Sequence, residues 1–162
     1  MSRPDPEQIR RVLADHLTAH TAEHELPAIL FLSPVEGMGC ALVQPDYPLT
    51  PDLWRQDAAG TVEALADWMS VLPSLDSRRT GPRRRAWGVA LRYHATEVSP
   101  AADAFGLNTE PVRIRGIIAV DTDGGRYGYD QRPGQAVPRW FEPVAQIPLS
   151  RALTRLAATL PQ

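Results

Sequence analysis

One stretch, Val112 to Gln131 (VRIRGIIAVDTDGGRYGYDQ), constrains the fold more than any other. Its first arm alternates. Val112, Ile114, Ile118 and Val120 fall on one side with Gly116 between them, and Arg113, Arg115, Ile117 and Ala119 on the other. Alternation carried by β-branched residues is the pattern of a half-buried strand. Asp121-Thr122-Asp123-Gly124 then reads as a type I turn, with Gly124 supplying the positive φ of a G1 bulge. Arg126 to Gln131 returns as the second arm, with Tyr127 and Tyr129 on one face. A lone hairpin is marginal in water, so further strands must pair with it and helices must cover its apolar face.

The rest of the chain supplies both. Pro4 to His20 reads as a helix with Asp5 as N-cap and Pro6 at N1, striped by Ile9, Val12, Leu13 and Leu17. Ala28 to Ser33 and Cys40 to Gln44 read as two strands joined by a turn over Pro34 to Gly39. Thr50-Pro51 reads as the start of a second helix, with its main body at Thr61 to Leu72 if Gly60 breaks it. Ala86 to Thr96 alternates as a third strand, and Leu149, Leu153, Leu156 and Leu160 stripe a final helix. Short connections favour antiparallel pairing. The expected fold is α+β, in the order α-β-β-α-β-β-β-α: a single mostly antiparallel sheet of about five strands with helices packed on it. The expected organisation is one domain over residues 1–162, a length that buries a core without disulfides or metal.

Charge and composition narrow the function. A net charge of −2 gives no global attraction to nucleic acid or anionic lipid. No apolar run approaches the ~20 residues of a membrane span. Cys40 is the single cysteine, which fits a reducing cytoplasm, and the polar start MSRPDPEQIRR lacks the apolar region of a signal peptide. All 17 basic residues are Arg, which together with 16 Pro points to a GC-rich coding genome.

Five groups of residues invite a chemical reading. His16, His20 and His24 recur every four residues, a spacing that suits a metal through imidazole nitrogens. They also continue the apolar stripe of the first helix and lack the Glu of an HExxH motif, so the stripe reads as a packing margin and no metal or cofactor is expected. Arg78, Arg79, Arg83, Arg84 and Arg85 form a dense basic loop suited to an acidic partner or, as the alternative, to nucleic-acid phosphates. Without interleaved aromatics it is no stacking platform, and nucleic acid is not the expected partner. His94, Arg92 and Asp121 are the dispersed set from which an enzyme would have to draw. Asp121, Asp123 and Asp130 lack the spacing of a calcium loop and read as turn chemistry. Finally, Arg139-Trp140-Phe141 sits between Pro138 and Pro143, where neither regular helix nor central strand fits. Adjacent aromatics there either plug the core or form a partner surface, including one for a second copy.

ELPAILFL, WGVALRYHA and VRIRGIIAVDTDGGRYGY, spread between Arg10 and Arg132, resemble small uncharacterised proteins of actinobacteria and their phages. Those share a strand ending in AVD, a DGG-type turn and an aromatic strand. The resemblance implies such a source and brings no catalytic residues. The element order is also similar to that of roadblock/longin-like domains, regulatory scaffolds that dimerise and bind small GTPases. With no catalytic motif in view, the chain is read as a non-enzymatic protein-binding or assembly protein.

Overall fold

The computed structural model describes residues 3–19, 27–44, 57–75, 85–97 and 111–160. In chain order these form α1 (Pro6–Ala19), β1 (Ala28–Val35), β2 (Gly39–Val43), α2 (Ala58–Leu75), β3 (Gly88–Glu97), β4 (Val112–Asp121), β5 (Arg126–Gln131), β6 (Arg139–Phe141) and α3 (Pro148–Ala158). The strands make one antiparallel sheet in the order β2-β1-β3-β4-β5-β6. The α+β class with its antiparallel sheet is as expected, and the sheet gains a sixth strand.

Local chemistry accounts for the boundaries. The Asp5 carboxylate accepts from the Gln8 N–H at 2.7 Å and caps α1. Asp57 does the same for α2, taking the N–H groups of Ala59 (3.0 Å) and Gly60 (3.2 Å). Helix α2 therefore starts at Ala58 and runs through Gly60, which sits in the first turn where its amide bonds to the cap; the expected start at Thr50 lies outside the described residues. Strand β1 continues through Pro34 to Val35, and the turn narrows to residues 36–38. The β4–β5 turn forms as read: Gly124 has φ 86° and its N–H donates to Asp121 O at 3.0 Å.

Helices cover both faces of the sheet, where the alternation of β4 alone suggested one. On one face Val62, Leu65 and Ala66 of α2 and Ala152, Leu153, Leu156 and Ala157 of α3 share a core with Ile29, Val89, Leu91, Ile118 and Val120. Arg155 of α3 pairs with Glu63 and Asp67 of α2 at the rim. On the other face Ile9, Leu13 and Leu17 of α1 share a core with Leu30, Leu32, Cys40, Ala90, Ile117, Ala119 and Tyr127. Two helix layers explain why the second half of β4 is buried on both sides. No helix among the described residues is long and apolar enough to cross a membrane.

Candidate functional site

The residues 139–141, expected to be irregular, form the outermost strand among the described residues. The flanking prolines do not prevent this, because of how the ladder alternates. Asp121 N–H donates to Gly125 O at 2.9 Å, which makes these two a hydrogen-bonded pair. Bonded and non-bonded pairs then alternate along the antiparallel ladder, so Tyr127 and Tyr129 bond to β4. Gly128 and Asp130 are left to bond β6, opposite Phe141 and Arg139. The missing N–H of Pro138 therefore falls on the outward side, where no strand partner loses a bond. By the same alternation the backbone N–H and C=O of Trp140 point away from the sheet.

Side chains hold this strand on both faces. Phe141 lies over Gly128 so closely that a Cβ there would sit 2.6 Å from its ring, and it packs against the core beneath α2 and α3. Trp140 turns to the other face, edge-on to Tyr129 (centroids 5.3 Å, planes at 67°) and to Tyr127 (6.3 Å, 65°). The Arg10 guanidinium of α1 stands 4.5 Å from the Trp140 ring centroid, a cation–π contact, and its Nη1 also bonds Glu7 at 2.5 Å. Arg139 grips Asp130 with Nε (3.1 Å) and Nη2 (2.7 Å), a bidentate fork.

The clamp leaves apolar surface uncovered. Trp140 remains 37% exposed, and Val137 (76%), Val144 (57%) and Ile147 (39%) stand out along the same stretch of chain. These are four exposed apolar side chains within eleven residues, on and just beyond a strand whose backbone faces outward. Single exposed apolar residues are ordinary; several beside the outermost described strand make a candidate contact surface.

The other predicted groups are placed differently. Arg85 is exposed just ahead of β3, while Arg78, Arg79, Arg83 and Arg84 lie outside the described residues, as do His20 and His24. His16 faces Arg92 of β3, with Nε2 and Nη1 3.2 Å apart. Arg92 and His94 share the α1 face of β3, but Asp121 pairs with Gly88, four positions from the Arg92 level. That separates them by roughly 13 Å along the strand, so the dispersed set does not converge. Asp121 is instead the anchor of its turn. Its Oδ1 accepts from Asp123 N (2.9 Å) and Gly125 N (2.8 Å), and its Oδ2 from the Tyr127 hydroxyl (2.8 Å). Arg3 reaches across to Thr122 Oγ1 (2.8 Å) and pairs with Asp123. Burial and then the Asp121 bond push the Tyr127 hydroxyl pKa well above the phenol range. Among the described residues no three His, Cys, Asp or Glu side chains are placed to hold a metal.

Sequence reasoning missed Arg3 and Arg10, because both act on partners distant in sequence. Arg10 has a local partner in Glu7, but nothing near either arginine in the sequence points to Trp140 or to the Thr122–Asp123 turn.

Cys40 is buried beneath α1, and desolvation raises its thiol pKa to about 11. At pH 8 only about one thiol in a thousand would be ionised. Native protein is expected to be inert to a disulfide-exchange reagent at pH 8, and to release one thiol per chain in 8 M urea. Rapid native labelling would contradict the burial.

No family model, curated protein or solved structure matches this chain.

Proposed function

We propose that the protein is a non-enzymatic, cytoplasmic protein-binding or assembly protein, and that its contact surface is the rim from Val137 to Ile147 centred on Trp140. The observation that supports this is the coincidence of four exposed apolar side chains with an outward-facing strand backbone. The surrounding clamp supports it further. Arg10, Tyr129 and Phe141 fix the strand before any partner arrives, which limits the ordering entropy that association costs. Pro138 removes one donor from the outer edge and shortens any strand that could add there. Contact through side chains is therefore favoured over indefinite sheet extension.

Light scattering at micromolar concentration tests the reading. The wild-type mass is expected to rise above 17.9 kDa with concentration. Trp140→Ala and Val144→Ser are expected to hold it at the monomer value with the fold intact. Trp140→Ala should cost about 2 kcal/mol of stability, from one cation–π contact and the aromatic edges. A monomeric wild type whose Trp140→Ala variant loses more than about 4 kcal/mol would assign Trp140 to packing alone and end this reading.

A further inference from the structure

The backbone of β6 is built to meet a strand like its own. Arg139 and Phe141 bond inward to β5, so the outward direction recurs at Pro138, Trp140 and Glu142. Trp140 turns one donor and one acceptor outward, whereas Pro138 has an acceptor alone. Two antiparallel strands exchange a pair of N–H···O bonds between such facing residues. Proline then selects the register for two copies. With Pro138 opposite Trp140 of the second copy, each Trp140 C=O would face a nitrogen without a proton. A shift the other way sets Trp140 opposite Glu142, beyond the end of β6 at Phe141. With Trp140 opposite Trp140, both bonds form and the pairing stays within the strand, Arg139 to Phe141 against Phe141 to Arg139.

The charges fit the same arrangement. A two-fold contact sets a patch against itself, so uncompensated charge meets its like. The charged residues from Val137 to Ile147 are Arg139 and Glu142. Arg139 forks onto Asp130, and Glu142 Oε1 lies 3.9 Å from Arg126 Nη2. Arg10, beside Trp140, is bonded to Glu7. In the register above Arg139 stands opposite Phe141, not opposite a second arginine. The patch is thus balanced within one chain, which suits a copy of itself better than a partner chosen by charge. Trp140, 37% exposed, falls on the axis, with the more exposed Val137 and Val144 to either side of it in the chain.

We infer that the partner at this rim is a second copy of the chain, joined by antiparallel β6–β6 pairing about a two-fold axis at Trp140. The inference rests on reading the rim as a contact surface and adds its occupant and geometry. The pairing uses the β6 edge of both copies, so this contact closes at two chains.

Amide hydrogen exchange in the wild-type chain gives the direct test. The Arg139 and Phe141 N–H groups point to β5 and are expected to be protected at every concentration. The Trp140 N–H is expected to exchange about tenfold or more slowly in concentrated, dimeric protein than in dilute, monomeric protein. A dimer by light scattering whose Trp140 N–H keeps its monomer rate would overturn the strand pairing, with the rim still a contact surface. A wild type that stays monomeric at about 100 μM would overturn the second copy. In that case a folded, little-destabilised Trp140→Ala would leave the rim to a different protein, and a severely destabilised one would end the rim reading as well. Cross-linking adds a second measurement. In Arg139→Cys the two Cα atoms would stand about 8 Å apart across the axis. A bis-maleimide of that reach is expected to join two chains there, and not in Asp123→Cys at the far end of the hairpin; Cys40 is buried. An Arg139→Cys dimer that does not link would overturn the axis.

Discussion

Gly88→Ala is expected to destabilise the protein by about 3 kcal/mol or more, a large share of the 5–15 kcal/mol that holds a typical domain together. A Cβ at Gly88 would lie 2.6 Å from Val120 O, 2.9 Å from Asp121 Cα and 3.0 Å from Leu32 Cδ1. Carbon atoms pack at about 3.5–4.0 Å. Two of the three obstacles are backbone of β4, which is tied to β5 on its other side and cannot yield alone. The substitution must therefore part β3 from β4 where the cores of both faces meet. Gly128→Ala is the natural comparison, because its obstacle is the ring of Phe141, 2.6 Å away, which can swing outward. That variant should lose about 1–2 kcal/mol. Urea unfolding of the two variants and wild type, followed by tryptophan fluorescence, ranks them. A Gly88→Ala protein within about 1 kcal/mol of wild type would show that the strands separate more easily than this packing allows.

Asp121→Ala is expected to cost about 3–5 kcal/mol. The carboxylate is buried and serves three donors: two amides of its own turn and the Tyr127 hydroxyl. Removing it strands all three and leaves Arg3 facing the turn with only Thr122 and Asp123. Asp121→Asn keeps an oxygen for the two amides and should lose about half as much. Tyr127→Phe leaves the carboxylate one donor short and should cost about 1–2 kcal/mol. Denaturation of the three variants under one set of conditions checks the order. If Asp121→Ala were no worse than Asp121→Asn, the amide bonds would contribute nothing and the turn would be held by its glycines.

The hairpin was legible because each residue of β4 and β5 carries its own evidence: alternation, β-branching, and a glycine where φ must be positive. Helix α1 was legible for a similar reason, with Asp5, Pro6 and the Ile9-Leu13-Leu17 stripe all within one segment. The sixth strand was not. Pro138 and Pro143 argue against a strand when read alone, and only the ladder parity shows that the residues between them need bonds on one side. The cap at Asp57 was not legible: Thr50-Pro51 drew the reading to residues outside those described, and Asp57 shows its role only where its carboxylate takes the amides of Ala59 and Gly60. The candidate rim was half legible. Arg139-Trp140-Phe141 drew notice through its aromatics, whereas Val137, Val144 and Ile147 look ordinary until a sheet edge lies beside them. Its cationic clamp, Arg10, is separated from Trp140 by most of the chain.

The strand order has a consequence for how the chain closes on itself. Among the described residues, four of the five strand pairings join strands consecutive in the sequence, and only β1 with β3 does not. There Leu32 meets Gly88 and Ala28 meets Arg92, so the whole of β2 and α2 lies within the loop that this pairing closes. Loop-closure entropy is thus concentrated on one seam between two meanders, β1–β2 and β3 through β6. Helix α1 lies across that seam. Its Ile9, Leu13 and Leu17 share one core with Leu30 and Leu32 from the first meander and with Ala90, Ile117 and Ala119 from the second. The pairing that costs the chain most freedom is also the one that α1 covers on one face, while Ile29, Val89 and Leu91 join the core beneath α2 and α3 on the other.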